Sequence, residues 1–478
     1  VLENQDEIEF NFMNTRDFYF ISFQDDSTQN LNNTRISGFT LKWSNILASL
    51  KYKQSLASNL NAEHQLYYSG YQSSTRLKEE IFDINIRTVP TTERELLRGI
   101  RDVGVKSDWV YQRNNKNTVY FGLQSSTRFF QPGRMTYTSV GYPSIDDINT
   151  VYGNEKYVGS SEIALYAEDR LRVNKDLVFD LGFRQVQYFF NGYSKFVFEP
   201  RLHGTYFLKN QDVFKFGYNR HNQFIGQLNL GTTGSPDNIW VPATERVKPR
   251  KLNIIEVSYE RQIGEQYAGS LNIYSKSMQD LVEVSNLSDA GDPELDWQTS
   301  VVFGSGRSYG AEFFFQKSKG DVTGWLSYAY SRSFRDFRDL YDDEYEYSFD
   351  RPHMFKFYLN YTNPRSDWNF GFNYILGSGQ LFTIPIGKFR DIDGNTQLEY
   401  NALNNYRSNT YQRFDISVIR LNNTYGLEQE WRFYLYNALG NKNPLNVAAV
   451  FDNANFSQVQ IDRAYLAYVP GIAYIVKF

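Results

Sequence analysis

The last eight residues of the chain read GIAYIVKF (471–478), and their character alternates with a period of two. One face carries aliphatic and aromatic side chains, namely Ile472, Tyr474, Val476 and Phe478. The other face carries Ala473, Ile475 and Lys477. Successive side chains of a strand point to opposite faces, so this period predicts a β-strand with one strongly apolar face.

The same period recurs along the rest of the chain. Clear examples are 254–260, 354–361, 368–376 and 413–418, where apolar residues on one face alternate with Glu, Lys, Asn, Arg or Asp on the other. Charged residues on the second face indicate that this face is wet. A β-sandwich could show the same period, although its strands are usually shorter and its connections more even.

The lengths of the connections distinguish these two folds. Short polar turns are predicted at 113–117, 173–175, 209–211, 261–266, 317–321, 363–366 and 422–426. Long connections are predicted at 70–103, 124–160, 219–250, 279–306, 332–351, 377–410 and 438–467. Short turns at one end and long loops at the other are typical of transmembrane barrels. We therefore predict an all-β fold, an antiparallel transmembrane β-barrel over residues 1–478. Its terminal strand, ending on an aromatic, resembles that of outer-membrane barrels.

Composition agrees with a barrel that crosses a membrane by strands. The 478 residues are 41% hydrophobic, the mean hydropathy is −0.54, and Phe (38) and Tyr (37) are abundant. No stretch reaches the roughly 18 apolar residues that a transmembrane helix needs. A barrel strand needs apolar residues only at every second position. The chain begins at Val1 without a signal peptide, so we expect a processed chain or a fragment.

Several function classes are disfavoured by composition and motifs. The net charge is −4, which argues against nucleic acid as a partner. There is no cysteine, the four histidines are far apart, and no GxSxG string occurs. We predict no catalytic residue, no cofactor and no metal site, and hence no enzyme.

Counting the alternating segments predicts about 19 strands, the first two near 6–13 and 16–23. Single-chain bacterial barrels have an even number of strands, with both ends on the periplasmic side. On this count the first strand runs towards the periplasm, so an odd number of strands is expected before it. An unclosed edge in lipid would leave backbone groups unpaired, at several kcal/mol each.

An ordered set of strings carries a family resemblance. In order they are YAEDRLRVNKDLVFDLGFR (166–184), SPDNIWVPATERVKPRKLN (235–253), GEQYAGSLNIYSKSMQDLVE (264–283), GRSYGAEFFFQK (306–317), GWLSYAYSRSFRDF (324–337), FDRPH (349–353), YRSNTYQRFDIS (406–417) and WRFYLYNALGNKNP (431–444). The chain resembles a TonB-dependent outer-membrane receptor/transporter of the Bacteroidota type, densest from 161 onward.

The resemblance implies active nutrient uptake across the bacterial outer membrane by a barrel of about 22 strands with a plug in its lumen. It implies that the plug, about three strands and a segment engaging TonB–ExbB–ExbD precede residue 1. Lipid and lipopolysaccharide are expected neighbours, and a surface lipoprotein is a possible partner. Siderophore, glycan, peptide and cobalamin all remain open as substrates.

Four aromatic residues are the candidates for ligand binding. Tyr341, Tyr345 and Tyr347 lie in the acidic and aromatic run of loop 332–351, which could meet cationic groups or stack on ligand rings. The run could equally be a solvated loop, or one that binds divalent cations near lipopolysaccharide. Trp240 could stack on substrate or anchor its loop on the barrel rim.

Other polar groups have structural interpretations. Residues 391–395 (DIDGN) resemble the start of a calcium loop but fit a hairpin turn better. Residues 350–353 (DRPH) are interpreted as a rim feature. Five charged residues are predicted to face the lumen: Glu256, Glu260, Glu312, Lys356 and Asp415.

Three alternatives to transport through a gated barrel stay open. The first is a structural or secretion-associated outer-membrane barrel. The second is an outer-membrane enzyme, and the third is a passive porin.

Overall fold

The fold is seen in a computed structural model of the chain. It describes residues 6–26, 33–83, 89–142, 146–153, 157–228, 238–285, 297–390, 396–399, 402–424, 427–443, 448–449, 459–460 and 467–477. Phe478 and residues 391–395 lie outside the described residues.

Strands make up most of the described structure. In chain order they are β1 (Glu7–Asp26), β2 (Asn33–Ala57), β3 (Leu60–Asp83), β4 (Thr91–Gln112), β5 (Asn117–Val140), β6 (Ile148–Gly153), β7 (Val158–Arg172), β8 (Leu177–Phe190), β9 (Tyr193–Phe207), β10 (Asp212–Gln223), β11 (Ile225–Leu228), β12 (Ile239–Pro242), β13 (Arg250–Ile263), β14 (Tyr267–Val284), β15 (Val301–Lys317), β16 (Val322–Asp336), β17 (Tyr345–Glu346), β18 (His353–Thr362), β19 (Trp368–Gly377), β20 (Leu381–Phe382), β21 (Gly387–Arg390), β22 (Thr396–Glu399), β23 (Tyr406–Arg407), β24 (Tyr411–Thr424), β25 (Leu427–Tyr436), β26 (Ala448–Ala449), β27 (Val459–Gln460) and β28 (Val469–Lys477). Two short 3₁₀ turns cover Lys209–Gln211 and Trp297–Ser300. No helix of the described residues is long and apolar enough to cross a bilayer.

Twenty of these strands form one antiparallel sheet in which chain neighbours pair with each other. Eighteen of them build the wall, whereas β6 and β17 are short strands within loops. Wall strands are joined by short turns at one end, which we call the turn end. At the other, the loop end, most connections are long, although Asn191 and Gly192 (φ 43° and 83°) close a tight hairpin between β8 and β9. The predicted all-β transmembrane barrel fold is confirmed.

The expected count of about 19 strands is close, but the predicted split at the start of the chain is wrong. Segments 6–13 and 16–23 form one strand, β1, paired without interruption with β2. The polar residues between them, Asn14 to Asp17, do not make a turn because they stay in register with 43–46. With 18 wall strands, β1 runs from the turn end to the loop end. The predicted direction of the first strand, from the loop end to the turn end, is therefore wrong.

Two of the predicted long loops are largely strand. Residues 70–83 and 91–103 continue β3 and β4 in unbroken register, and β5 extends to Val140. Polar residues occupy both faces of these extensions, which removed the alternating signal there. The strands β2–β5 therefore project beyond the part of the wall that is apolar on one face.

One face of the wall is apolar and points away from the lumen. Residues paired directly across strands share a face, and the row Phe10, Leu50, Leu66 and Val105 is between 48% and 67% exposed. A face of exposed large apolar side chains across many strands suits contact with lipid. The turn-end border of this face carries an aromatic row, in which Trp109 and Phe121 stack at 6.0 Å. Such a row suits the membrane–water boundary.

The opposite face is polar. All five residues predicted to face the lumen, namely Glu256, Glu260, Glu312, Lys356 and Asp415, lie on this face in the observed register. Lys215 pairs with Glu260 at 2.5 Å, and Asp415 accepts hydrogen bonds from Asn373 and Arg413. Neighbouring strands therefore supply partners for some of these charges.

The hydrophobic core lies under a loop at the loop end rather than inside the wall. Strands β11 and β12 form a hairpin in the loop between β10 and β13. The hairpin contacts β4 and β5 on one side and β14 on the other, strands that are far apart in the sheet. Its buried residues Leu228, Ile239 and Val241 pack with Val247 and Val301. This loop therefore folds inward and crosses the lumen.

The same loop is fastened to the wall by a buried tyrosine. Tyr188 on β8 is fully buried, stacks on Phe224 at 4.6 Å, and donates a hydrogen bond to the Ala243 carbonyl at 2.8 Å. Burying the ring also places a polar hydroxyl away from water, and the carbonyl satisfies it. The loop is therefore held by a specific contact as well as by apolar packing.

Candidate functional site

The loop between β16 and β18 (337–352) covers the lumen side of β15 and β16, and it contains three of the four predicted site residues. Its first turn closes on Phe337, whose carbonyl accepts the N–H groups of Leu340 and Tyr341 at 2.9 and 3.0 Å. The Phe337 ring is buried and lies directly over Gly304, where a Cβ atom would come within 2.7 Å of it. The loop then returns to β16 through β17.

Tyr341 and Tyr345 form a contacting pair in this loop. Their ring centroids are 5.1 Å apart at an interplanar angle of 72°. The Tyr345 hydroxyl is buried and has no hydrogen-bond partner in the described part of the chain. Burial raises the pKa of both phenols above the ordinary tyrosine value, so both are neutral hydrogen-bond donors at physiological pH.

Tyr347 is joined to a guanidinium that the sequence did not single out. The Arg335 Cζ lies 3.9 Å from the centroid of the Tyr347 ring, a cation–π contact. The Tyr347 N–H donates to the Ser333 carbonyl at 2.9 Å. Burial is the largest cause raising the pKa of Tyr347. This contact places a flat aromatic face and a cation together at the loop end of the lumen.

A glycine on the neighbouring strand makes room for Arg335. A Cβ atom at Gly306 would lie 2.8 Å from Arg335 Nη1 and 2.9 Å from the Phe334 carbonyl oxygen. The Arg335 side chain therefore lies across β15 towards β14. There its charge interacts with those of Glu283 and Arg250, which lie on the lumen face of β14 and β13. The site thus combines three tyrosines, two arginines and one glutamate.

A buried ionic network clasps this loop to the loop between β19 and β24. Asp350 has a fully buried side chain and accepts from the Ser333 N–H at 2.7 Å and from Arg407 Nη2 at 2.8 Å. Arg407 also binds Glu346 at 2.8 Å and the Gly379 carbonyl at 3.1 Å. Arg332 contacts both Glu346 and Asp350. We call Arg332, Glu346, Asp350 and Arg407 the loop clasp.

The loop clasp explains the strings FDRPH and YRSNTYQRFDIS in physical terms. Asp350 comes from the first string and Arg407 from the second, and together they hold two loops on one rim. His353 stacks near Tyr328, whose hydroxyl is 2.8 Å from His353 Nδ1. The interpretation of 350–353 as a rim feature agrees with these contacts.

Most of the acidic run is neutralised by the protein's own arginines. Glu344 forms two hydrogen bonds with Arg307, at 2.7 and 2.9 Å, and Asp336 pairs with Arg338 at 2.7 Å. Glu346 and Asp350 belong to the loop clasp. Asp343, with a side chain 99% exposed, is the member that projects most clearly into solvent.

Trp240 lies on the inward-folded hairpin and not in the tyrosine cluster. It is half-buried, between Ile239 and Val241, whose side chains lie in the apolar core. Its indole nitrogen is buried and has no hydrogen-bond partner among the described residues. Trp240 forms no ring pair with Tyr341, Tyr345 or Tyr347 in the part of the chain that the structure covers. The four candidates therefore divide into a cluster of three and a separate residue.

Sequence reasoning missed Arg335, Arg250 and Glu283. A signal was present in β15, where Gly304, Gly306 and Gly310 fall on one face of a strand that is otherwise rich in large residues. Glycine in a strand often marks the close approach of another group. No group of three or more metal-binding side chains occurs among the described residues.

The family described as "TonB dependent receptor-like, beta-barrel" matches residues 4–438. A search of the curated proteins found no matching sequence.

Several solved structures share the fold. The outer membrane transporter YddB from Escherichia coli matches with a TM-score of 0.55 at 11% identity, over 97% of this chain and 76% of that one. The copper transporter OprC matches with a TM-score of 0.56 at 10% identity, over 94% and 76%. The FrpB iron transporter from Neisseria meningitidis matches with a TM-score of 0.53 at 10% identity, over 99% and 81%.

The family match covers nearly the whole chain, and the observed sheet is the barrel that the match describes. The chain therefore belongs to the TonB-dependent receptor-like β-barrel family.

Proposed function

We propose that this protein binds a nutrient at the loop end of the barrel and imports it through the lumen by TonB-dependent transport. The protein is an outer-membrane β-barrel of a receptor family, so its turn end faces the periplasm and its loop end the exterior. The ligand site that we propose is the cluster of Tyr341, Tyr345, Tyr347 and Arg335. Trp240 on the inward hairpin is a second, separate contact for the ligand.

The observation that carries this proposal is the inward folding of two extracellular loops. One loop lays the β11–β12 hairpin across the lumen, and the other places Phe337 over Gly304 of β15 and Tyr347 against Arg335 of β16. The loop clasp and the Tyr188 contact fix both loops to the wall. Aromatic and cationic groups that are held at the loop end of the lumen, rather than in free solvent, suit capture of a ligand before transport.

Transport requires a gate and a closed wall. The two edge strands of the sheet indicate that further strands complete the wall. Within the described residues β1 pairs only with β2, and β28 pairs only with β25. Open edges in lipid would leave a row of backbone groups unpaired. We propose that residues 1–478 are the C-terminal barrel of a longer protein, in which preceding strands close the wall. A preceding plug would gate the lumen. If the complete wall has about 22 strands, as barrels of the family do, about four strands would join the 18 described wall strands.

The partners follow from the same proposal. TonB–ExbB–ExbD would act through a segment before residue 1, and the apolar outer face would contact lipid and lipopolysaccharide. A surface lipoprotein over the loops and the Bacteroidota form of the family stay predictions. The named structural neighbours include copper and iron transporters, and the ferripyoverdine receptor of Pseudomonas aeruginosa has the same fold. Because these proteins are named as transporters or receptors of metals or their complexes, we propose metal complexes as the first ligands to test.

The test is uptake by intact cells that express the full-length protein. Radiolabelled ferric siderophores, cobalamin, oligosaccharides and peptides are offered to cells with and without a functional TonB. We expect accumulation of one ligand class only when TonB is present, and at least tenfold less for a variant lacking the three tyrosine rings. Ligand-independent conductance of the full-length protein in a planar bilayer would instead indicate a porin. If no class accumulates in a TonB-dependent way, the proposal is wrong and a structural role is favoured.

A further inference from the structure

We infer that the imported ligand presents an anionic group, such as a carboxylate or phosphate, to Arg335 and Arg250. This inference rests on the proposed function, because it concerns the ligand of the same site. It reverses the impression given by the sequence, in which the acidic run around the tyrosines suggests a cationic ligand.

Four of the seven acidic residues of the run are paired with arginines, and the other three, Asp339, Asp342 and Asp343, are exposed to solvent. Glu344 is paired with Arg307 in a two-bond contact, and Asp336 is paired with Arg338. Glu346 and Asp350 are held by the arginines of the loop clasp. A carboxylate engaged by a guanidinium has much of its charge compensated and its lone pairs occupied. A cationic ligand would have to displace these contacts.

Among the described residues, the two arginines facing the lumen, Arg335 and Arg250, have no carboxylate within ion-pair distance. The hydrogen bonds of Arg335 go to the Phe334 carbonyl at 2.9 Å and, weakly, to the Ser333 hydroxyl at 3.5 Å. Arg250 donates to the Gln227 carbonyl at 3.5 Å. None of the ion pairs of the described residues includes either guanidinium, and Arg335 forms its further side-chain hydrogen bond with Tyr347, which is neutral.

The local charge balance around Arg335 and Arg250 is positive. Arg335 and Arg250 are half-buried and close enough to repel each other, whereas Glu283 attracts both without forming an ion pair with either. Two cations against one anion leave an excess positive charge in a partly desolvated place. Such a charge is unfavourable unless a partner compensates it. An anion between the two guanidiniums would remove their repulsion and accept hydrogen bonds from both.

The glycines of β15 leave space on the lumen side of the wall. Gly304 and Gly306 present no side chain between β14 and β16, so Arg335 can extend over β15. The Tyr347 ring lies against one face of the guanidinium and holds its plane. The edge of a guanidinium fixed in this way suits a carboxylate or phosphate, because both match its paired N–H groups.

The experiment measures binding of citrate, used as an anionic probe, to the full-length protein in lipid nanodiscs at low ionic strength. Isothermal titration is carried out on the unmodified protein and on Arg335→Gln, Arg250→Gln and Arg307→Gln. We expect each of the first two changes to weaken citrate binding at least tenfold, since each removes a charge-assisted contact. Arg307→Gln is the matched control, because Arg307 lies on the outer face and is already paired, and it should change binding less than twofold.

Further variants separate charge from folding. Arg335→Lys keeps the cation without the planar fork, and it should retain more affinity than Arg335→Gln. Heat-modifiable migration on gels shows whether each barrel is folded. Absence of citrate binding at millimolar concentration, or equal loss in Arg335→Gln and Arg307→Gln, would overturn the inference. TonB-dependent uptake of a neutral or cationic ligand would also overturn it, yet leave the proposed function standing.

Discussion

The loop clasp offers the sharpest prediction about stability. Replacing Arg407 by alanine removes the bonds that Arg407 makes to Asp350, Glu346 and the Gly379 carbonyl. Removing one partner of a buried ion pair typically costs about 3–5 kcal/mol. Arg332 and the Ser333 N–H still contact Asp350, and the Arg407 side chain is 28% exposed. We therefore expect a smaller loss of about 2–3 kcal/mol, confined to the two clasped loops.

Hydrogen exchange measured by mass spectrometry can detect a loss of this kind. A change of 2–3 kcal/mol in local opening corresponds to about a 30- to 150-fold fall in protection. The fall should appear in peptides covering 337–352 and 402–410. Peptides from the middle of wall strands should not change, because each is held by two neighbouring strands.

The matched control is Arg338→Ala. Arg338 lies in the loop 337–352 and, like Arg407, is paired with acids of the acidic run, but its side chain is 62% exposed. Exposed pairs contribute about 0–1 kcal/mol, so exchange should rise by less than about fivefold. If Arg407→Ala leaves 337–352 as protected as Arg338→Ala does, the clasp does not hold the loop. Loss of protection throughout the wall would show instead that the clasp supports the whole barrel.

Three further predictions test other contacts. Tyr188→Phe leaves the buried Ala243 carbonyl without its hydrogen bond, so exchange in 238–247 should rise by an amount corresponding to about 1–3 kcal/mol. Gly306→Ala places a methyl group 2.8 Å from a guanidinium nitrogen and should lower ligand uptake severalfold, whereas Gly269→Ala, whose nearest contact is 3.6 Å, should not. Burial raises the pKa of Tyr345 in the folded loop above its value in the unfolded chain. The contribution of the neutral phenol to the stability of the loop is therefore fully present below the unfolded pKa of about 10, and it is lost as the pH rises through the folded pKa. In an alkaline titration, the difference in absorbance at 295 nm between the unmodified protein and Tyr345→Phe should therefore develop at a higher pH than the ionisation of ordinary tyrosines.

The wall of the barrel could be predicted from the sequence because its determinants are local. A period of two assigns each residue to a face without knowledge of any other strand. This is why Lys356 and Asp415 were placed correctly towards the lumen. The split of β1 was predicted wrongly because four consecutive polar residues resemble a turn. They remain in the strand because β2 continues to pair with them.

The site could be predicted only in part because its determinants are not local. The tyrosines of 341–347 attracted attention by their density, and the structure brings them together. The partner Arg335 belongs to a strand, and its position depends on the absence of a side chain at Gly306 of another strand. Nothing near Arg335 in sequence shows that the residue opposite it is a glycine. Trp240 was grouped with the tyrosines by residue type, but its hairpin packs on other strands.

The acidic run shows why the charge of a segment does not determine the charge of its ligand. Six of the residues from 336 to 346 are Asp or Glu, so a ligand met by the isolated segment would be cationic. In the fold, the arginines that neutralise the run come from Arg307 on β15 and Arg407 on β23 as well as from the loop itself. Arg335, in contrast, crosses a glycine, lies over an aromatic ring and is repelled by the charge of Arg250. Because pairing compensates Asp336, Glu344 and Glu346, and the lumen side carries two cations, we expect the field that a ligand meets at Arg335 and Arg250 to have the opposite sign to that of the segment.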